Sequence, residues 1–290
     1  MTAAAQTWLA GRPSVSLVAL RCRTSDRTPG AVRGVDALAP LVGKRLGREA
    51  RAIGEPGDMR PRPWDEDLSA SRGCLLEAGG QVDDALSGGN VPLILAGDCS
   101  ICLTTLPTAL RHRPEAKVLW LDAHGDYNTP QTSPSGFLGG MCLAGACREW
   151  DPGLGEPVPA DRVVLAGVRD LDAEERGLLG RSEATVIGAS VVETLVAVKN
   201  ALDGAPVYVH LDLDVIDPAI FPAQFPAPGG LPPEKLFDLL EAVTEDCDLV
   251  GLEVTAFEAP EDEEERADAA ALALHVLEPL LDAVPAGAGA

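Results

Sequence analysis

The 290-residue chain reads as one α/β domain, a three-layer α/β/α arrangement over residues 1–290 with helices on both faces of a central, mostly parallel sheet. Three observations predict this. Short β-branched or leucine-rich runs alternate with longer helical patterns, and alternation of that kind implies right-handed crossovers and a sheet covered on both sides. At 46% hydrophobic the chain is long enough to bury one large core, which Val, Leu, Ile and Ala must fill because only 4% is aromatic. Two of the apolar runs end in carboxylates and imidazole, at the strand end where such sheets bind ligands.

Taken in order, strands are expected at residues 15–20, 91–96, 117–122, 163–168, 185–187, 207–212 and 248–254, each a short apolar run. Helices are expected at 73–86, 189–202 and 232–243, the last with Pro in its first turn, where no N–H is needed. Residues 56–67, rich in Pro, Gly, Arg and Asp, read as a surface loop. A second Pro/Gly-rich loop, 218–233, starts directly after one carboxylate cluster, and long loops beside a site usually shape it. The charge run 258–265 reads as the start of a C-terminal helix, where acids complement the positive end. No internal repeat occurs.

A formal charge of −22 argues against nucleic acid and anionic membranes as partners. No apolar run approaches the roughly 18 residues of a membrane span. Residues 1–6 lack a basic segment leading into an apolar one, so a cytoplasmic, unexported protein is expected. Seven cysteines, an odd number scattered from Cys22 to Cys247, fit a reduced compartment better than a disulfide scaffold. A homo-oligomer is compatible with the sequence but nothing in it dictates one.

The chemistry concentrates in two segments. Val118-Leu119-Trp120-Leu121-Asp122-Ala123-His124-Gly125-Asp126 ends in carboxylate, imidazole and carboxylate at alternate positions, and Val207-Tyr208-Val209-His210-Leu211-Asp212-Leu213-Asp214 ends in two carboxylates spaced the same way. Side chains two apart on an extended chain share a face. Carboxylates crowded together repel unless a cation sits between them, and hard oxygens with one imidazole favour Mn²⁺ or a similar octahedral ion.

These segments resemble the signatures of the ureohydrolase (arginase and agmatinase) superfamily. Asp122-Ala123-His124-Gly125-Asp126 is similar to its Asp-Ala-His-x-Asp motif, His210 to Pro218 to its x-x-Asp-x-Asp-x-x-Asp-Pro motif, and Ala96-Gly97-Asp98-Cys99-Ser100 to its Gly-Gly-Asp-His-Ser motif. The resemblance implies a two-manganese hydrolase of a small guanidino substrate. Asp122 and Asp212 would bridge the ions, with Asp126 and Cys99 on one side and His124 and Asp214 on the other. Asn128 and Ser135 stand where arginases hold an α-carboxylate, and Asp172, in Gly167-Val168-Arg169-Asp170-Leu171-Asp172, where they face the α-amino group. Asp126 would carry protons in the reaction.

Three positions depart from that pattern. Cys99 replaces a ligand histidine with a softer donor, so a weak or altered metal site is expected on that side. Gly139 replaces the shuttle histidine. The guanidinium-binding glutamate is displaced, leaving Ala256 or Phe257 in its place and Glu258 as the catalytic candidate. An Nω-hydroxyguanidine, less basic and carrying its own proton-bearing oxygen, needs these groups less. The resemblance therefore points toward arginase-like or Nω-hydroxy-L-arginine hydrolases. Two alternatives stand beside it: a degenerate, non-catalytic protein of the same fold, and a dithiol redox protein using Cys99-Ser100-Ile101-Cys102.

Overall fold

Eight parallel strands make one sheet among the residues that the computed structural model describes, 14–59, 61–189 and 194–284. In chain order they alternate with helices as β1 (Val15–Leu20), α1 (Gly30–Leu46), β2 (Arg51–Ile53), α2 (Trp64–Ser87), β3 (Val91–Leu95), α3 (Cys102–His112), β4 (Lys117–Leu121), α4 (Cys142–Ala146) and β5 (Val163–Val168). There follow α5 (Ala173–Leu179), β6 (Thr185–Gly188), α6 (Thr194–Leu202), β7 (Val207–Asp212), α7 (Pro233–Asp246), β8 (Leu249–Thr255) and α8 (Glu263–Ala283). The strand order is β2-β1-β3-β8-β7-β4-β5-β6, and every pair is parallel.

Alternation within each strand divides the core in two. Leu119, Leu121, Val209 and Leu211 face the layer of α1, α6, α7 and α8. Val118, Trp120 and Tyr208 face α2 and α3 on the other side. Full burial of one such side chain contributes about 1.5–3 kcal/mol, which fixes which way each strand faces. By the same parity Asp122 and Asp212 emerge on the α2/α3 side.

Several elements differ from the sequence reading for physical reasons. Gly30, Gly34, Pro40 and Gly43 interrupt the helical pattern of α1. A Cβ on Gly34 would lie 2.2 Å from the Phe257 carbonyl oxygen, so that glycine serves close packing rather than helix propensity. β2 is three residues long, too short to show a period. α2 starts at Trp64, inside the expected loop, with Asp65, Glu66 and Asp67 in its first turn offsetting the free N–H groups. α8 starts at Glu263 with the Asp262 carboxylate accepting from the Glu264 and Glu265 N–H groups at 3.0 Å, in keeping with the charge run as a helix start. Residues 1–6, and residues 190–193 of the expected helix 189–202, lie outside the described residues.

Cys22 and Cys74 are joined by a disulfide, a departure from the all-reduced expectation, while Cys99, Cys102, Cys142, Cys147 and Cys247 are free. The pair is 52 residues apart and becomes adjacent only where the end of β1 meets α2. Among the described residues no helix is long and apolar enough to cross a membrane.

Candidate metal centre

β4 and β7 are neighbours with Leu121 level with Leu211, so Asp122 and Asp212 leave adjacent strands at the same height. Beyond each aspartate the chain turns on its own carboxylate. Asp122 Oδ1 accepts from the His124 N–H and Asp212 Oδ1 from the Asp214 N–H, both at 2.7 Å. These turns fold the second ligand of each motif back toward the first. Asp214 Oδ2 comes within 2.9 Å of His124 Nδ1, and its Oδ1 accepts from the Ala123 N–H at 2.9 Å. Trp120 Nε1 donates to Asp122 Oδ2 at 3.0 Å. Asp126, at φ 47°, lines the same inner cavity as the other three aspartates.

Cys99 arrives from β3, separated from β7 only by β8. Asp98 Oδ1 accepts from the Ser100 N–H at 2.9 Å and starts a single tight turn. That turn sets Cys99 Sγ 2.8 Å from Asp212 Oδ2 and 3.1 Å from Thr255 Oγ1, at the end of β8. The structure thus brings together Cys99, Asp122, His124, Asp126, Asp212 and Asp214, all lining one inner cavity at the carboxyl ends of four consecutive strands.

The electrostatics show what such a cluster lacks. Burial, then the charge of Asp214, pushes the Asp122 carboxyl up to about 6. Burial and neighbouring carboxylates push Asp126 and Asp212 well above the ordinary range. Asp214 goes the other way: burial opposes its charge, but the His124 contact and the Ala123 N–H hold it below the usual value. Burial likewise opposes a charged His124, yet Asp122 and Asp214 push it up to about 12. The imidazole is thus a stand-in cation. Burial, with Asp212 beside it, keeps Cys99 a thiol. Four carboxylates, one imidazole and one sulfur fit a pair of divalent ions of the manganese type, whose charge would relieve the repulsion.

The inner cavity has a volume of ≈ 20 Å³, room for a water-sized body. It shares His124, Asp126, Phe137 and Phe225 with an outer cavity of ≈ 220 Å³. Larger recesses of ≈ 620 and ≈ 740 Å³ elsewhere contain none of these ligands. Asn128, Ser135 and Asp172 all line the outer cavity, with Asn128 Nδ2 donating to Asp172 Oδ2 at 3.0 Å. Asp170, of the same sequence stretch as Asp172, also lines it, while sequence reasoning missed Arg27 and Glu175 there. Glu175 accepts from the Tyr127 N–H at 2.9 Å and from the Asp172 N–H at 3.2 Å, and burial pushes it up to about 7. The Asp-x-x-Glu spacing of a capping box was the available signal. Nothing near Arg27 in sequence marks it.

Glu258 stands apart, which corrects its catalytic assignment. Its carboxylate accepts from Thr28 Oγ1 and, at 2.9 Å, from the Gly30 N–H, anchoring the start of α1, and it lines neither cavity. The backbone turns at Ala256, φ 63°, and Ala256 itself reaches the inner cavity. Gly139 lines that cavity too, and a Cβ there would sit 2.5 Å from the Phe137 ring, so Phe137 occupies the space a larger residue would need. Cys102 is fully buried and hydrogen-bonded to Cys142, whereas Cys99 faces Asp212. Each thiol thus has a different partner, and the redox alternative is not favoured.

Comparisons with known proteins agree with this geometry. The model of the arginase family matches residues 20–281. The chain is 34% identical over 272 residues to the N(omega)-hydroxy-L-arginine amidinohydrolase of Streptomyces lavendulae, covering 94% of this chain and 99% of that protein. It is 34% identical over 229 residues to the arginase of Bacillus subtilis, 72% of this chain and 76% of that one. Among solved structures, the arginase of Bacillus caldovelox superposes with a TM-score of 0.74 at 25% identity, over 93% of this chain and 98% of that one.

Proposed function

The chain belongs to the arginase family and is a hydrolase of amidine C–N bonds, and from that premise we propose that it converts Nω-hydroxy-L-arginine and water to L-ornithine and hydroxyurea. One observation carries the substrate assignment. Gly139 and Ala256 line the inner cavity, with Phe137 and Phe225, where the resemblance puts a shuttle histidine and a guanidinium-binding glutamate, and none of these four side chains can move a proton or hold a guanidinium charge. A substrate that is less basic and brings its own hydroxyl suits such a lining. The likeness to an amidinohydrolase of that substrate along nearly the full chain supports the same reading.

Asp122, Asp126, Asp212 and Asp214, with His124 and Cys99, would hold two manganese ions, Asp126 and Cys99 on one side and His124 and Asp214 on the other. Bound there, the pair would supply the positive charge that activates a water and stabilises the developing tetrahedral centre. Asp126 borders both cavities and takes a proton from the attacking water, then passes it to the departing amine. In the outer cavity Asp172 and Glu175 face the α-ammonium, while Asn128 and Ser135 hold the α-carboxylate. Arg27, the basic side chain of that lining, adds charge-assisted attraction for the carboxylate.

Release of the amine product at saturating Mn²⁺, ornithine from Nω-hydroxy-L-arginine or L-arginine and putrescine from agmatine, tests the assignment. The hydroxylated substrate should turn over fastest. Agmatine turning over fastest would overturn the α-amino-acid reading, and no release from any of them would favour the non-catalytic alternative.

A further inference from the structure

Beneath the six expected ligands lies a buried group that the reaction above does not use. His210 sits two residues before Asp212 on β7 and so shares its face of the sheet, one step deeper. The residue is fully buried. Its ring lies flat on Trp120, with centroids 3.5 Å apart and planes within 2°. Nδ1 is 2.6 Å from Glu253 Oε1, and the other oxygen of Glu253 accepts from Tyr208 Oη at 3.0 Å. Nε2 is buried and without a hydrogen-bond partner among the described residues.

An imidazole in that setting has its tautomer chosen for it. A carboxylate can only accept, so Nδ1 carries a proton, and in the neutral ring Nε2 keeps a bare lone pair. A bare nitrogen lone pair in a dry interior costs free energy unless something electropositive meets it. The candidates are few, because Trp120 covers one face of the ring and Trp120 Nε1 is already given to Asp122. Cys99 Sγ, an Asp122 carboxylate oxygen and a ring nitrogen of His210 all lie within 4.8 Å of one another, the spacing of donors around a single ion. A histidine whose second nitrogen is held by a carboxylate is the usual form of a metal-bound imidazole.

We propose that His210 is an additional ligand of the metal centre, donating through Nε2 on the Cys99 side, with Glu253 as the carboxylate that orients it and Tyr208 as the hydroxyl that holds Glu253. The inference rests on the two-metal reading above. It also accounts for the sulfur at position 99: the nitrogen absent there is supplied from the strand below.

The test uses the full chain and metal binding, with no turnover required. The sequence has four histidines, and His112 and His275 are committed to Asp83 and Glu278 elsewhere. In a His124→Asn variant loaded with Mn²⁺, pulsed electron paramagnetic resonance should still show nitrogen coupling, because His210 remains bound to the ion on the Cys99 side. Absence of nitrogen coupling would overturn the proposal without touching the substrate assignment. Equilibrium Mn²⁺ titration gives a second reading. His210→Phe keeps a ring against Trp120 and should weaken one of two ions at least about tenfold. Glu253→Gln should weaken the same ion by roughly 10–100-fold, the range for loss of an orienting carboxylate. Two ions held with wild-type affinity in His210→Phe would refute the ligand role. Wild-type protein that binds Mn²⁺ tightly but hydrolyses nothing would sink the function and leave this inference standing.

Discussion

The two halves of the metal centre solve the same problem differently. On the His124 side, Asp122 and Asp214 are tied to an imidazole and to backbone N–H groups, and Asp214 is comfortable as a charge even before an ion arrives. On the Cys99 side, Asp212 accepts from the Cys99 thiol and Asp126 from the Cys142 thiol, and burial drives both carboxyls toward the protonated form. One half is preorganised by hydrogen bonds within the chain. The other stores repulsion that an ion would release. Metal affinity should therefore be more sensitive to substitution and pH on the Cys99 side, although both halves use aspartates from the same two strand ends.

Asp126→Asn should have the largest effect on that contrast. It removes both a proposed ligand of the strained half and the proposed proton carrier, and loss of a general acid/base costs roughly 10²–10⁴ in rate, about 3–5 kcal/mol. We expect kcat for ornithine release to fall by that factor with KM little changed. A variant within threefold of wild type would show that Asp126 carries no proton. Next, Gly139→Ala fills the wall beside Asp98 and Cys99, where the new methyl meets the Phe137 ring. Overpacking of this kind costs about 1–3 kcal/mol, readable as a lower denaturation midpoint. An unchanged midpoint would mean that Phe137 yields freely and the wall is softer than its packing suggests.

Cys99→His replaces sulfur with imidazole in the strained half and should tighten Mn²⁺ there about tenfold, equal to about 1.4 kcal/mol. Equal affinity in titrations of variant and wild type would place Cys99 outside the coordination shell. The smallest expected effect is on thermal stability. Burial and neighbouring carboxylates push Asp126 and Asp212 well above the ordinary range, and Asp122 up to about 6. Between about pH 4 and 7 the metal-free native state then holds more protons than the unfolded chain, so its stability falls as pH rises through that window. Melting of metal-free protein should drop by a few degrees from pH 5 to 7.5, and added Mn²⁺ should raise it more at pH 7.5 than at pH 5. Metal-free stability that climbs over this window would contradict the stored repulsion.

Much of the centre was legible before any coordinates. Asp122, His124, Asp126, Asp212 and Asp214 announce themselves because a two-residue spacing at the end of an apolar run leaves little freedom in where side chains point. Cys99 could be found through the motif around it, although its 2.8 Å approach to Asp212 spans 113 residues. The strands were legible for the same local reason, and α1 was not, because its glycines answer to Phe257 and not to their neighbours in sequence. Glu258 shows the limit from the other side. Counting along the chain places it near the site, but Ala256 turns the backbone at φ 63° and delivers Glu258 to the start of α1.

What the sequence by itself determined is therefore the aspartates and His124 of the two motifs, their common face and the class of sheet that presents them, all consequences of backbone periodicity acting over a few residues. Which strands became neighbours was decided only by the tertiary structure, and with it the pairing of His210 with Glu253 across 43 residues, the bond between Cys22 and Cys74, and the arrival of Arg27 at the outer cavity. Those contacts join chain segments whose meeting depends on how the two helical layers bury their apolar faces, and no spacing within any one segment records that choice.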